Sequence, residues 1–300
     1  MQAVVYEELG GPEVLHLAEV PTAEPGPGQV RVRVEAAAIN GWDVKSRATR
    51  TAGMPAPRFP VVPGLEAAGV VDALGDGVTG VAPGDRVAGF TTGGGYAEQA
   101  LLTTFAPVPD GLDAPRAAAT PVAAETAHRV LRLLGVRDGE TVLVHGAAGS
   151  VGELAVRLAV HAGARVVGTA SPRHQDRVRA LGAAATTYGP GWAERVRALA
   201  PDGVDAVLDA AGAGVLPDSI ALRGGTDRVV TIADPAASDL GVEFSSSSRR
   251  DPVELAADLA AVARDDLTVT VARVLPLGEA AEAHRLVETG HPGGKVVLTP

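Results

Sequence analysis

Three glycines at three-residue intervals, Gly146, Gly149 and Gly152 in HGAAGSVG, form the stretch whose residue types and spacing point most directly to chemistry. Without side chains the backbone can bend sharply and approach a pyrophosphate, and a helix that starts in the turn aims its unpaired N–H groups at the charge. Ala148, Ser150 and Val151 lie in the same turn and present their main chain to the same anion. About 20 residues further on, an NAD-binding chain places Asp or Glu against the ribose hydroxyls. Here the sequence reads GTASPRH, with no carboxylate; Ser171 and Arg173 offer a hydroxyl and a guanidinium, which suits the 2′-phosphate of NADP(H). A local role also fits them, with Ser171 capping a helix and Arg173 in solvent.

Such a turn must sit between a buried strand and a helix. The apolar run Val142–Val144 predicts the strand, and Val151, Leu154, Ala155, Leu158 and Ala159 fall on one helical face over 151–162. A second strand over 164–169 and a helix over 172–181 complete a βαβ unit. Helices at 192–200 and 215–222 alternate with strands at 204–209 and 228–233, which predicts a parallel, doubly wound sheet. Residues 1–112 instead read as short strands broken by Pro and Gly turns, a barrel-like β pattern. PVPDGLDAP (107–115) marks a boundary before a helix over 116–135. After Arg250 come a helix (252–264), a strand (268–274), a helix (278–289) and a strand (295–298). These last two strands exceed what a six-stranded sheet needs and are expected to return to the first domain. The expected division is 1–115 completed by 266–300, and 116–265; Ser245–Ser248 reads as a flexible loop.

A net charge of −10 without any Lys/Arg-rich run argues against nucleic-acid and anionic-membrane partners. The absence of cysteine excludes disulfides, thiolate chemistry and Cys-ligated zinc. No apolar stretch approaches the roughly 20 residues that cross a bilayer, and MQAVVYEELGG lacks a signal-peptide layout, so a cytoplasmic protein is expected.

The segments GGPEVLHLAEVPTAEPGPGQVRVRVEAAAIN, PVVPGLEAAGVV, PGDRVAGF with GGGYAEQ, GETVLVHGAAGSVGELAVRLA, VDAVLDAAG and GKVVL run from end to end. Through them the chain resembles the medium-chain dehydrogenase/reductase superfamily, in its zinc-free quinone oxidoreductase branch. The resemblance implies a GroES-like β-barrel catalytic domain built from both chain ends, a doubly wound Rossmann cofactor domain, and a homodimer. Zinc members carry Gly-His-Glu where this chain has Gly64-Leu65-Glu66, so no catalytic zinc is expected. His284 and His291, near Glu288, fit a solvated helix face better than a metal site.

By the resemblance, Asn40 and Asp43 match an Asn-x-x-Asp near nicotinamide and substrate. Thr126 matches a Thr that touches the cofactor, Ser171, Arg173 and Tyr188 match the surroundings of the 2′-phosphate, and Lys295 matches a position near the cofactor. Local readings stand beside these: Asn40 and Asp43 satisfying backbone groups after a strand, and Tyr188 as a surface aromatic. The chain departs from the family at three places. Ser150 replaces a glycine of the phosphate turn. Glu125 and His128, three apart and on one helical face, replace Leu and Trp and would make either an acid/base pair or a surface ion pair. The segment LRGGTDRVV and the polar loop after it point to a different substrate pocket. The expected activity is NADPH-dependent hydride transfer to a small quinone or enone. The alternatives are a natural-product tailoring enzyme that uses Glu125 and His128, and an NADPH-binding sensor without turnover.

Overall fold

The computed structural model describes residues 1–50, 56–246, 249–290 and 292–300. In chain order the elements are β1 (Gln2–Val5), β2 (His16–Glu19), β3 (Val30–Ala38), α1 (Gly41–Ala48), β4 (Glu66–Leu74), β5 (Arg86–Thr92), β6 (Gln99–Pro107), α2 (Ala114–Ala119) and α3 (Pro121–Leu134). They continue with β7 (Thr141–His145), α4 (Ser150–His161), β8 (Arg165–Ala170), α5 (Gln175–Ala180), β9 (Ala184–Thr187), α6 (Trp192–Leu199), β10 (Ala206–Asp209), α7 (Leu216–Arg223), β11 (Val229–Thr231), α8 (Ala237–Leu240) and β12 (Glu243–Phe244). The chain closes with α9 (Pro252–Ala263), β13 (Val271–Pro276), α10 (Ala280–Glu288) and β14 (Lys295–Thr299).

Two compact units result, Met1–Val122 with Arg250–Pro300, and Ala123–Arg249. The division falls seven residues later and sixteen earlier than the expected 115/116 and 265/266. The reason is packing: α2 lies on β3 and β4, α9 lies on β6, and Arg116 Nη2 donates to Val262 O at 2.8 Å and to Asp265 Oδ1 at 2.7 Å.

In the first unit β3, β4, β5 and β6 pair antiparallel in succession, and β6 pairs back onto β3, closing the strands into a barrel. The alternating burial of β3 turns Val30, Val32 and Val34 into the core. β14 adds antiparallel to β3 and β13 parallel to β14, so the last two strands do belong to this sheet. In the second unit the order β12-β11-β10-β7-β8-β9 is parallel throughout, as expected of a doubly wound fold. Its central strand β7 is buried at all five positions, because strands flank it and helices cover the sheet.

Three sequence expectations change. The helix over 116–135 is two helices, broken at Thr120 because Pro121 has no N–H to continue the ladder. The helix over 172–181 is a 3-10 turn (Pro172–His174) followed by α5. Ser245 is buried and its hydroxyl is bound by Arg129, so that part of the serine run is fixed; Ser247 and Ser248 lie outside the described residues.

Candidate active site

The barrel brings together residues far apart in sequence at one end of its sheet. Asn40 follows β3, Glu66 opens β4 opposite Ala38, and Lys295 opens β14, where Ile39 N–H donates to Val296 O at 2.9 Å. Lys295 Nζ donates to Glu66 Oε1 at 2.6 Å and to Asn40 Oδ1 at 2.5 Å. Asn40 Nδ2 donates to the same Glu66 Oε1 at 2.9 Å, and Val122 N–H donates to Oε2 at 2.7 Å. Glu66 is fully buried and Lys295 is 3% exposed, whereas Asn40 is half-buried. A buried ion pair of this kind holds only when its remaining lone pairs and protons are bonded, which Asn40 and Val122 provide.

Asp43 lies in the first turn of α1, buried, and its Oδ2 accepts from Asn40 N–H at 2.8 Å and from the Tyr96 hydroxyl at 3.2 Å. Burial raises its carboxyl to about 6, against the lowering effect of the Asn40 bond and the Lys295 charge. Burial, then the Asp43 charge, pushes the Tyr96 phenol well above its usual range. Asp43 therefore holds the entry of α1, as the local reading allowed, and only Asn40 of the pair is open to solvent. Lys295, expected at the cofactor, spends its ammonium on Glu66 and Asn40. His284 also departs from expectation: it is fully buried on the inner face of α10 with its ring edge-on to Tyr96 at 5.9 Å, and burial depresses its pKa to about 3. His291 lies outside the described residues.

In the second unit β7 runs into the glycine turn. Gly146 takes φ +73°, Gly149 N–H donates to Gly146 O at 2.9 Å, and Ala147 N–H ties the turn to Thr169 O at 3.0 Å. A Cβ on Gly152 would lie 2.1 Å from Gly146 O, so the helix can start this close to the strand only with glycine there. Ser150 and Val151 are the first residues of α4, where N–H groups have no intrahelical partner; Ser150 enters as an ordinary first-turn residue. The Ala148 carbonyl accepts from Arg177 Nη2. This frame, with a close approach at Gly152 that no side chain could occupy and first-turn N–H groups that have no partner among the described residues, fits a pyrophosphate.

Ser171 and Tyr188 follow the paired residues Ala170 and Thr187 of β8 and β9, so both stand at the same strand ends. Ser171 Oγ makes no capping bond and is a buried atom without a hydrogen-bond partner among the described residues, which removes the capping reading. Arg173 and Tyr188 are exposed. Gln175 Nε2 fixes the strand ends by donating to Ala170 O and Thr186 O at 2.9 and 3.0 Å.

Glu125 and Thr126 are buried in α3, and His128 is half-buried. Glu125 Oε1 accepts from Arg129 Nε and from Arg249 N–H, both at 3.0 Å. Its ion pair with Arg129 is buried, and with the Arg249 contact it clamps the chain near 249. Sequence reasoning missed Glu66, Tyr96, Arg129 and His145. The fully buried His145 accepts from Thr169 Oγ1 at 3.1 Å and donates from Nε2 to Ser219 Oγ at 3.0 Å, since the Ser219 hydroxyl itself donates to Val215 O. Burial holds its pKa down at about 4, so the ring is neutral.

Comparison with known proteins agrees with both units. Residues 26–110 match the alcohol dehydrogenase GroES-like domain, and 181–298 match the family described as zinc-binding dehydrogenase. The chain is 31% identical to the quinone oxidoreductase of Rattus norvegicus over 99% of its own length and 97% of the relative's. It is 33% identical to 2-haloacrylate reductase of a Burkholderia species, over 100% and 99%. A solved structure of mycobacterial Rv1454c complexed with NADPH superposes with TM-score 0.85 at 32% identity, covering all of both chains. The chain is an oxidoreductase that belongs to the medium-chain dehydrogenase/reductase superfamily, in its zinc-free quinone oxidoreductase branch.

Proposed function

We propose that the chain is an NADPH-dependent reductase of quinones or activated C=C substrates. The observation that carries the cofactor half is Ser171 Oγ, buried at the end of β8 with no hydrogen-bond partner among the described residues, where no carboxylate stands to repel a 2′-phosphate. Ser171, Arg173 and Tyr188 would hold that phosphate, and the N–H groups of Ser150, Val151 and Gly152 the pyrophosphate, with Gly146, Ala148 and Gly149 shaping the turn and Thr126 at the nicotinamide. When bound, the nicotinamide supplies a hydride. Asn40 supports the substrate half: its half-buried amide donates to the oxygen on which charge gathers during reduction. Asp43 and Tyr96 hold α1, and with it Asn40, in place. The names of the rat and Burkholderia relatives support quinone and activated-alkene acceptors, and the resemblance supports a homodimer.

Steady-state oxidation of NADPH and NADH against 1,4-naphthoquinone and 2-cyclohexen-1-one tests this. NADPH is expected to be preferred at least tenfold, and Ser171→Asp is expected to reverse the preference. No acceptor-dependent oxidation of either cofactor would overturn the reading.

A further inference from the structure

Asn40 is the sole asparagine in the chain, and Lys295 is one of only two lysines against 24 arginines. These two rare residues bond each other and share Glu66. The arrangement fixes which way the amide faces. A lysine ammonium can only donate and a carboxylate can only accept, so the reversed amide would set N–H against N–H on one side and oxygen against oxygen on the other. Oδ1 is therefore held by Lys295, and one Nδ2 proton by Glu66. The second Nδ2 proton makes no hydrogen bond among the described residues.

We infer that the Glu66–Lys295 pair positions Asn40 as a hydrogen-bond donor to substrate, which selects molecules carrying a carbonyl or quinone oxygen. Lys295 is a positioning residue that acts through Asn40. Its charge on Oδ1 draws electron density from the amide and strengthens the remaining N–H as a donor. A compact ammonium suits this task, because a guanidinium would bring a planar fork of five donors into a pocket with two acceptors. The inference rests on the reductase reading for its chemistry.

One measurement needs no turnover and no variant. With 15N in the asparagine side chain, the protein has a single side-chain NH2 pair. 1,4-Naphthoquinone is expected to shift one of its two proton resonances, the other staying with Glu66, while naphthalene, of the same shape without oxygen, shifts neither. Equal responses to the two probes, or a quinone response of both protons, would overturn the inference. In turnover, Glu66→Gln is expected to lower kcat for the quinone about tenfold to a hundredfold, with KM for NADPH within twofold. Lys295→Met is expected to act in the same direction and Lys295→Arg to recover part of the loss. A raised KM for NADPH with kcat unchanged would instead make Lys295 a cofactor contact and overturn it. A wild-type protein that reduces nothing yet shows the selective quinone shift would defeat the reductase reading and leave the donor assignment standing.

Discussion

The two units hold their candidate site residues by opposite means. At the glycine turn the binding groups are main-chain N–H groups, set by one short stretch of chain whose small residues let strand and helix approach. At the barrel end they are side chains from positions 40, 43, 66, 96 and 295, tied by a buried ion pair and a buried carboxyl. Backbone binding tolerates most changes and fails only where a side chain cannot fit. A buried charge network is costly to break at any member, because each partner left behind is desolvated and unpaired.

Breaking the network singly should give the largest effect. Lys295→Met leaves the Glu66 carboxyl buried without its cation, and is expected to cost about 3–5 kcal/mol in urea unfolding. The double change Glu66→Gln with Lys295→Met removes both charges and is expected to restore most of it, a coupling the glycine turn has no means to show.

Titration sets the units against each other next. Asp43 is raised in the fold to about 6, so its contribution is full below the unfolded carboxylate value and is lost as pH rises through 6. His145 is lowered to about 4, so its contribution is present above the unfolded imidazole value and is lost as pH falls through 4. Each is worth about 3 kcal/mol over its window. Asp43→Asn should therefore make stability climb more steeply between pH 4 and 7, while His145→Asn should flatten it, as read by unfolding at a series of pH values.

The same contrast explains what could be read from sequence. The βαβ unit was legible because its signals are local: an apolar run, glycines at fixed intervals, and a helical period, all within about 40 residues. The barrel network was not, since strand pairing alone brings residue 66 to 38 and residue 297 to 38. Asn40, Asp43 and Lys295 came from the resemblance. Glu66 was noted only as a neighbour of Leu65, and Tyr96 had no local mark. Lone Asn40 and scarce lysine were the available signal, in a chain that otherwise spends arginine on its cations. α1 and β9 were missed because Gly41 and AATT carry weak propensity and are fixed by tertiary contacts.

The smallest effects belong to the turn, where they separate close approach from mere smallness. Gly152→Ala places a carbon 2.1 Å from Gly146 O and is expected to cost about 2 kcal/mol and to weaken NADPH binding, since either α4 or the turn must shift. Gly149 takes φ −84° and an added carbon there lies 3.3 Å from the same oxygen, so Gly149→Ala should stay within about 0.5 kcal/mol. Ser150→Gly, which restores the glycine expected in the family, should change stability by less than about 1 kcal/mol, and in the unfavourable direction because glycine costs more to order in a first helical turn. Calorimetric NADPH titration of the three variants ranks them. A Gly149→Ala loss as large as that of Gly152→Ala would mean that the turn needs glycine for conformation throughout, and not for the one contact at Gly146 O.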